Sequence, residues 1–280
     1  MGKKILLPTD FSKSSWNAIQ YAIKLFEGRD CDFYILNTYM KDTHGLNSYT
    51  LLDPDEAFNK LSEKRSKSNL GDILIKLSLL DTENNHRFHV LSRSVPLVET
   101  IKNLVNTMKI DMIVMGAKGF NDKEGKYGKN TLDVIENIRK CPIMVVPKNV
   151  TLERLKEIVL ATNFNVDFNE CKIKYLVEIA KINNASVQVL SLSNNKKQSK
   201  QQKKNKSLLK EHLKGVDYSF NILHNVKLST ALSCFVDIRH SNMISYINKK
   251  PSLWELLGFG KRNLGKLGYF KDVPVLALHE

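Results

Sequence analysis

A glycine-rich segment near the middle of the chain has residue types and spacing suited to binding an anion. Residues 115–130 read MGAKGFNDKEGKYGKN, with four glycines in sixteen residues, directly after an apolar run. Glycines allow backbone N–H groups to approach a phosphate at the N-terminus of a helix, although they also serve in any tight turn. The segment therefore predicts either a phosphate-binding loop or a plain strand-to-helix turn.

A second candidate segment, Pro8-Thr9-Asp10, follows the first apolar run of the chain. In open parallel sheets, ligands bind outside the carboxyl ends of the strands, where the strand order reverses. If the strand before Pro8 neighbours the strand before the glycines, the two segments flank one crevice. A carboxylate there would accept hydrogen bonds from a ribose or base, while the loop amides would bind phosphates. This arrangement suits a nucleotide.

The familiar nucleotide-binding motifs are absent. A Rossmann GxGxxG would follow the first strand, where the sequence instead has PTDFS. A Walker GxxxxGK[ST] fails because the position five residues before Gly128 is Lys123.

The elements that would position these segments alternate along the chain. Apolar and β-branched runs predict strands near 3–9, 32–39, 86–92, 111–115 and 143–146, then near 157–162, 186–192, 216–224, 242–247 and 274–278. Helical periodicity predicts helices near 13–27, 54–79, 96–108 and 130–139 in the first half. Ser12 or Ser14 would cap the first of these, and Asp167 or Asn169 its counterpart in the second half. Strands separated by helices require right-handed crossovers into a parallel sheet.

The two halves repeat one another. Residues 5–11, ILLPTDF, recur as 158–164, IVLATNF, and residues 141–147, CPIMVVP, correspond to 273–279, VPVLALH. The sequence therefore predicts an α/β protein of two tandem, doubly wound, five-stranded parallel-sheet domains, residues 1–148 and 156–280, related by a pseudo-twofold axis. The linker near Lys148–Leu155 is short, so the halves are expected to pack together.

These residues resemble the universal stress protein family in its tandem form. The resemblance rests on LLPTDFS, MGAKG and CPIMVVP, and it covers essentially the whole length. It implies a fold like that of the adenine nucleotide alpha hydrolases. Family members often bind ATP through Gly, two residues, Gly, nine residues, Gly, then Ser or Thr. Gly116 and Gly119 match the first part, whereas strict spacing places Lys129-Asn130 at the end. A loop one residue shorter aligns Gly128 with the last glycine and leaves Lys129 in place of the hydroxyl residue, and we prefer this alignment.

The resemblance implies a nucleotide site in the first half. Thr9 and Asp10 would contact base and ribose, and Thr38, at the end of the second strand, would line the adenine pocket. The remaining implied binding residues are Pro8, Met115, Gly116, Lys118, Gly119, Gly128, Lys129, Asn130 and Thr131. The implied cofactor is ATP, or a related nucleotide, with Mg²⁺. Loss of the hydroxyl after Gly128 puts γ-phosphate and metal contacts in question, which Lys118 and Lys129 would partly replace as point charges.

The second half departs from the family pattern. Asn163 stands at the position of Asp10, and aligning Asp111 with Asn242 places Ile247 at the position of Gly116. A β-branched side chain there would obstruct close approach of the backbone to a phosphate. Nucleotide binding through the family loop is therefore not expected in this half, and residues 252–259, SLWELLGF, are expected to be packing surface.

Composition places the chain among water-soluble globular proteins. Its 280 residues are 42% hydrophobic, and no apolar run approaches the roughly 18 residues that a membrane span requires. The start of the chain lacks a signal-peptide pattern, which predicts a cytoplasmic protein. Cys31, Cys141, Cys171 and Cys234 lie far apart, so reduced thiols are expected and no metal site is predicted.

The net charge of +14 is uneven. Residues 1–147 carry 21 Lys+Arg and 18 Asp+Glu, whereas the rest carries 22 and 11. Eight lysines fall between Lys196 and Lys214, without arginine or interleaved aromatic residues. This favours a solvated, partly disordered loop leading into a helix over a nucleic-acid or other polyanion site.

Three functional hypotheses follow: a nucleotide-responsive regulatory protein, a ligand-free interaction or scaffold module, and a slow nucleotide hydrolase. Asp10 is the acidic residue that can be placed in the crevice, and His86 and His89 lie at the opposite end of their strand, so we do not expect a dedicated enzyme. The short apolar last strands, 143–146 and 275–278, are expected to pair within the molecule. A homodimer of two such chains is kept as an open alternative.

Overall fold

The computed structural model describes residues 2–40, 54–80, 85–118, 125–168, 170–193, 198–249, 264 and 267–279. Strands and helices alternate along these segments. The first-half strands are β1 Lys3–Pro8, β2 Cys31–Thr38, β3 Arg87–Arg93, β4 Met112–Gly116 and β5 Ile143–Val146. The second-half strands are β6 Glu157–Ala161, β7 Ser186–Ser193, β8 Tyr218–His224, β9 Met243–Asn248 and β10 Val275–His279. The helices are α1 Lys13–Leu25, α2 Pro54–Leu80, α3 Leu97–Met108, α4 Lys129–Asn137, α5 Glu170–Asn183, α6 Lys200–His212 and α7 Leu228–Arg239.

All ten strands form one sheet, in the order β3-β2-β1-β4-β5-β10-β9-β6-β7-β8. The order within the second half mirrors that of the first about the junction between β5 and β10. Pairing at this junction is antiparallel, with Met144 opposite Leu276, and every other pair of described strands is parallel. The predicted fold class, a doubly wound α/β protein with two related halves, is confirmed.

The sheet is covered by a hydrophobic layer on each face. Neighbouring residues of β1 point to opposite layers, with Ile5 in one and Leu6 in the other, and both are fully buried. The first layer packs beneath α1, α2, α5 and α6, and the second beneath α3, α4 and α7. Both layers contain residues of both halves. The sheet therefore has one continuous core on each side.

The repeat extends to individual backbone bonds. The Thr9 hydroxyl accepts from the N–H of Phe11 at 3.0 Å, and the Thr162 hydroxyl accepts from the N–H of Phe164 at the same distance. Both phenylalanines adopt left-handed backbone angles, with φ of 64° and 59°. Such angles are uncommon for a bulky residue, so their recurrence indicates a shared, tightly determined turn.

The lysine-rich segment was predicted to be a loop leading into a helix, and the structure contains the helix, α6, while residues 194–197 before it lie outside the described residues. Helix α6 begins at Lys200 behind a capping box, in which Ser199 accepts from the N–H of Gln202 and the Gln202 side chain accepts from the N–H of Ser199. The amide of Asn205, 2% exposed, donates to the carbonyl of Phe164 at 2.8 Å. These local bonds and the buried Leu209 compensate for the polar composition of the helix.

Candidate functional site

The candidate nucleotide site lies at the carboxyl ends of β1 and β4, which are hydrogen-bonded neighbours. A cleft of about 120 Å³ opens there between the end of β1, the end of β2, the segment after β4 and the first turn of α4. The predicted site residues that line this cleft are Pro8, Thr9, Asp10, Thr38, Met115, Gly116, Lys118, Asn130 and Thr131. The two segments singled out from the sequence thus meet at one place.

Three predicted site residues fall outside this lining. Gly128 is the N-cap of α4, and its N–H donates to the carbonyl of Ala117 at 2.9 Å. Lys129 is the exposed first residue of the same helix. Gly119 lies outside the described residues, as does the segment 252–259 predicted to be packing surface.

The turn after β1 holds its polar side chains in place by local hydrogen bonds. Asp10 accepts from the N–H of Ser12 at 3.1 Å, and the Thr9 hydroxyl lies 3.0 Å from the hydroxyl of Ser15. Ser12 also caps α1 by accepting from the N–H of Ser15 at 3.2 Å. The turn is therefore held by its own hydrogen bonds, with Asp10 at the exposed rim of the cleft.

Gly116 is required by packing between a strand and a helix. A Cβ atom at this position would lie 2.7 Å from the hydroxyl oxygen of Ser14 and 3.1 Å from its backbone carbonyl. The sequence had suggested anion approach as the reason for this glycine, and the contact with α1 supplies a second one. The carbonyl of Gly116 accepts from the Thr131 hydroxyl at 3.0 Å, which ties the start of α4 to the end of β4.

The first turn of α4 supplies positive potential to the cleft. It contains no acidic residue, and its N-terminal backbone amides lie beside Asn130 and Thr131. Helix N-termini of this kind favour bound anions by roughly 0.3–1 kcal/mol at exposed sites. Among the described lining residues, Asp10 is the anion and Lys118 the cation.

A residue of the second half of the chain contacts Lys118 of this cleft. The Lys118 ammonium lies 5.1 Å from the ring centre of Tyr269, which also packs edge-on against Tyr127 at 5.1 Å. Burial raises the pKa of Tyr127, so this phenol is neutral at physiological pH. A residue of the cleft is thus in direct contact with the other half.

Three lining residues were not predicted from the sequence: Ser15, Asn37 and Leu97. The Asn37 amide donates to the carbonyl of Thr9 at 2.8 Å and so links the ends of β1 and β2. Its position beside Thr38 at a strand end was a usable signal. Leu97 begins a helix far from the motifs, and only the folded chain brings it to the cleft.

The histidines near β3 are used structurally at the far end of the sheet. His89 lies 2.9 Å from a carboxylate oxygen of Asp32, and Arg87 pairs with the same carboxylate at 2.7 Å. The hydrogen bond from Arg87 lowers the pKa of Asp32 well below its ordinary value.

Burial raises the pKa of the Cys31 and Cys141 thiols to about 12, so both are protonated. No cluster of three or more potential metal ligands occurs in the described part of the chain.

The family model of the universal stress proteins matches residues 1–147, more than half of the 280-residue chain. The chain belongs to the universal stress protein family. A comparison with curated proteins gives no match.

Solved structures resemble this universal stress protein over its whole length. A universal stress protein from Archaeoglobus fulgidus has a TM-score of 0.69 at 14% identity, covering 99% of this chain and 96% of its own. A putative universal stress protein from Pseudomonas aeruginosa gives 0.59 at 12% identity, with coverages of 99% and 93%. The cytoplasmic domain of a prokaryotic cation chloride cotransporter gives 0.53 at 9% identity, with coverages of 100% and 96%. These identities show a shared fold, and the fold alone does not assign a function.

The corresponding position in the second half of this universal stress protein is a much larger cavity, of about 860 Å³. Strand registers place Met243 opposite Ile158 as Met112 lies opposite Ile5, so Ile247 occupies the position of Gly116, as the sequence alignment has it. Asn163 replaces Asp10 and keeps its local role, accepting from the N–H of Asn165 at 3.1 Å. The two halves therefore present unlike clefts on a common framework.

No described helix has the length and apolarity needed to cross a bilayer.

Proposed function

We propose that this universal stress protein is a non-enzymatic regulatory protein whose first half binds ATP or a related adenine nucleotide. The observation that supports the proposal most directly is the convergence of Pro8–Asp10, Gly116–Lys118 and the start of α4 on one cleft. The carboxylate of Asp10 and the hydroxyl-lined end of β2 would receive the nucleoside. The amides at the start of α4 and the Lys118 ammonium would receive the phosphates, with Mg²⁺ as their counter-ion.

Regulation would pass through Lys118 and Tyr269. The Lys118 ammonium lies over this ring of the second half, 5.1 Å from its centre. A bound triphosphate attracts an ammonium more strongly than a ring does, since cation–π contacts contribute about 0.5–1 kcal/mol at exposed sites. Nucleotide binding would therefore weaken the contact and change the surface that the second half presents.

A ligand-free interaction module is the second candidate. The described cleft, at about 120 Å³, is smaller than the roughly 300–1,000 Å³ of most small-molecule sites. Nucleotide hydrolysis has less support, because the described residues around Asp10 include no histidine or second carboxylate to act as a base.

Calorimetry of the nucleotide-stripped protein with ATP and Mg²⁺ tests the proposal. We expect saturable one-to-one binding, weakened about tenfold in Asp10→Asn, because hydrogen bonds to a charged acceptor contribute about 1.5–3 kcal/mol. Asparagine preserves the turn, as Asn163 does in the other half. Lys118→Met should weaken the binding of ATP more than that of adenosine. Lys109→Met, at the opposite end of β4, should change the affinity for neither ligand. Absence of saturable heat in the wild type would favour the interaction module.

A further inference from the structure

The second-half cavity is built differently from the cleft of the first half, and the difference has a structural cause. Both halves contain the repeated turn described above. Helix α1 begins soon after it, at Lys13, whereas α5 begins farther along the chain from its own copy of the turn, at Glu170. The crowding that excludes a side chain at Gly116 comes from the start of α1. Where α5 starts late, Ile247 is accommodated, and its side chain lines the cavity. The resulting volume of about 860 Å³ falls within the range of small-molecule sites, about 300–1,000 Å³.

Much of the cavity wall is apolar. Its apolar lining residues include Val166 of the turn after β6, Leu192 of β7, Ile222 of β8, Leu228 of α7 and Ile247 of β9. Ile222 is 45% exposed, and Leu192, Val226 and Leu228 are half-buried, so these side chains present apolar surface to the cavity. Such a surface contributes to binding through burial of an apolar ligand body, at roughly 25 cal/mol per Å².

The charged residues of the described lining are all basic. Lys206 and Lys249 line the cavity together with His224, and no Asp or Glu is among the described lining residues. The Lys206 ammonium lies 4.8 Å from the ring centre of Phe220 and 5.7 Å from that of Phe164, and it forms no salt bridge with a described carboxylate. Contacts with aromatic rings leave the N–H donors of this ammonium available for an anion, whereas a carboxylate partner would occupy them.

Helix α6 presents its N-terminal end at the same wall. Gln198, Ser199 and Gln202 line the cavity, and the first turn of α6 has no acidic residue. The helix is fixed to the repeated turn, because the Gln202 amide donates to the carbonyl of Asn163 at 2.9 Å. Part of the lysine-rich segment thus contributes polar residues to the described lining of the cavity.

We propose that this cavity binds a small amphipathic carboxylate, with its apolar body against Ile222 and Ile247 and its carboxylate towards Lys206 and the start of α6. A nucleoside phosphate fits these residues less well, because Ile247 stands where the glycine of the first half lies and Asn163 removes the carboxylate of Asp10. A neutral apolar molecule would leave Lys206 without an anionic partner. This proposal is independent of nucleotide binding in the first half.

Calorimetry of the full chain with octanoate, and with 1-octanol as its uncharged counterpart, tests the proposal. We expect saturable one-to-one octanoate binding that Lys206→Met weakens about tenfold, with octanol binding weaker and unchanged by the substitution. Methionine keeps the apolar stem over the two rings. Lys204→Met, on the exposed face of the same helix, is the matched control and should bind octanoate like the wild type.

A second variant covers the case in which Lys206→Met is poorly folded. Ile222 lines the cavity from the edge strand β8 and is 45% exposed, so Ile222→Trp should narrow the cavity without disturbing the core and weaken octanoate binding. The proposal is overturned if octanoate shows no saturable binding, if it binds no more tightly than octanol, or if Ile222→Trp leaves its affinity unchanged. ATP binding that Lys206→Met weakens while Asp10→Asn does not would also overturn it, by assigning the cavity to a nucleotide.

Discussion

At the scale of single residues, Gly116 is notable because a steric requirement coincides with a candidate ligand-binding role. The space that its Cβ would occupy is taken by Ser14 at the start of α1, including backbone atoms that cannot rotate away. Loss of ligand binding in a bulky variant at this position would therefore not distinguish a binding defect from a folding defect. For this reason Asp10 and Lys118 are the better positions for testing the nucleotide site.

We expect Gly116→Ala to lower the free energy of unfolding by about 1–3 kcal/mol, since overpacking a tight contact forces backbone shifts. Gly71→Ala is the matched control. Gly71 lies within α2 with nothing within 4 Å of its added Cβ, so alanine should raise stability by up to about 1 kcal/mol through helix propensity. Urea unfolding followed by circular dichroism measures both. Equal effects of the two substitutions would contradict the steric explanation.

At the scale of elements, the sequence indicated every strand of the sheet, and it indicated the central strands because strands covered on both faces read as short apolar runs. Strand β4, for example, is buried at all five positions. The boundaries of α6 were harder to recognise, since its lysines mask the helical pattern, although Ser199 and Gln202 have the spacing of a capping box. The large cavity could not be predicted, because it depends on the late start of α5 relative to a turn that both halves share.

Strand β10 carries a buried histidine whose protonation opposes folding. His279 is 8% exposed, and burial together with the nearby Arg139 guanidinium lowers its pKa to about 3. An unfolded histidine titrates near 6.5, so between about pH 6.5 and pH 3 the unfolded chain binds a proton that the folded chain does not. Acid therefore favours unfolding within this window.

We expect this histidine to reduce the free energy of unfolding by about 2 kcal/mol between pH 7.5 and pH 5.0. His279→Gln should remove most of that pH dependence, since an amide fills a similar volume without titrating. His240→Asn is the control, because His240 is exposed and its left-handed backbone, with φ of 54°, suits asparagine. The measurement is urea unfolding at the two pH values. An unchanged pH dependence in His279→Gln would show that other groups are responsible.

At the scale of the whole molecule, the junction between β5 and β10 joins the two halves through their most buried strands. Ile143–Val146 and Val275–Leu278 are at most 1% exposed, and both hydrophobic layers continue across the junction. Opening one half would expose apolar surface of the other. The halves are therefore expected to unfold together even though the chain is a duplication.

Hydrogen exchange measures this cooperativity without any substitution. Backbone amides of β1 and β6, equivalent strands at the centre of each half, should exchange through the same global opening and report the same free energy. Mass spectrometry of peptides covering each strand provides the comparison. A markedly lower value for β6 would show that the second half opens independently.

The fusion of two unlike halves across one junction also sets their stoichiometry. A dimer of identical subunits carries two copies of the same cleft, and a dimer of different subunits forms in proportions that depend on how much of each is made. Here the small cleft of the first half and the larger cavity of the second half are carried by the same chain, on one sheet. Substitutions such as Ile247 in place of glycine could therefore accumulate in one copy without producing mixed assemblies.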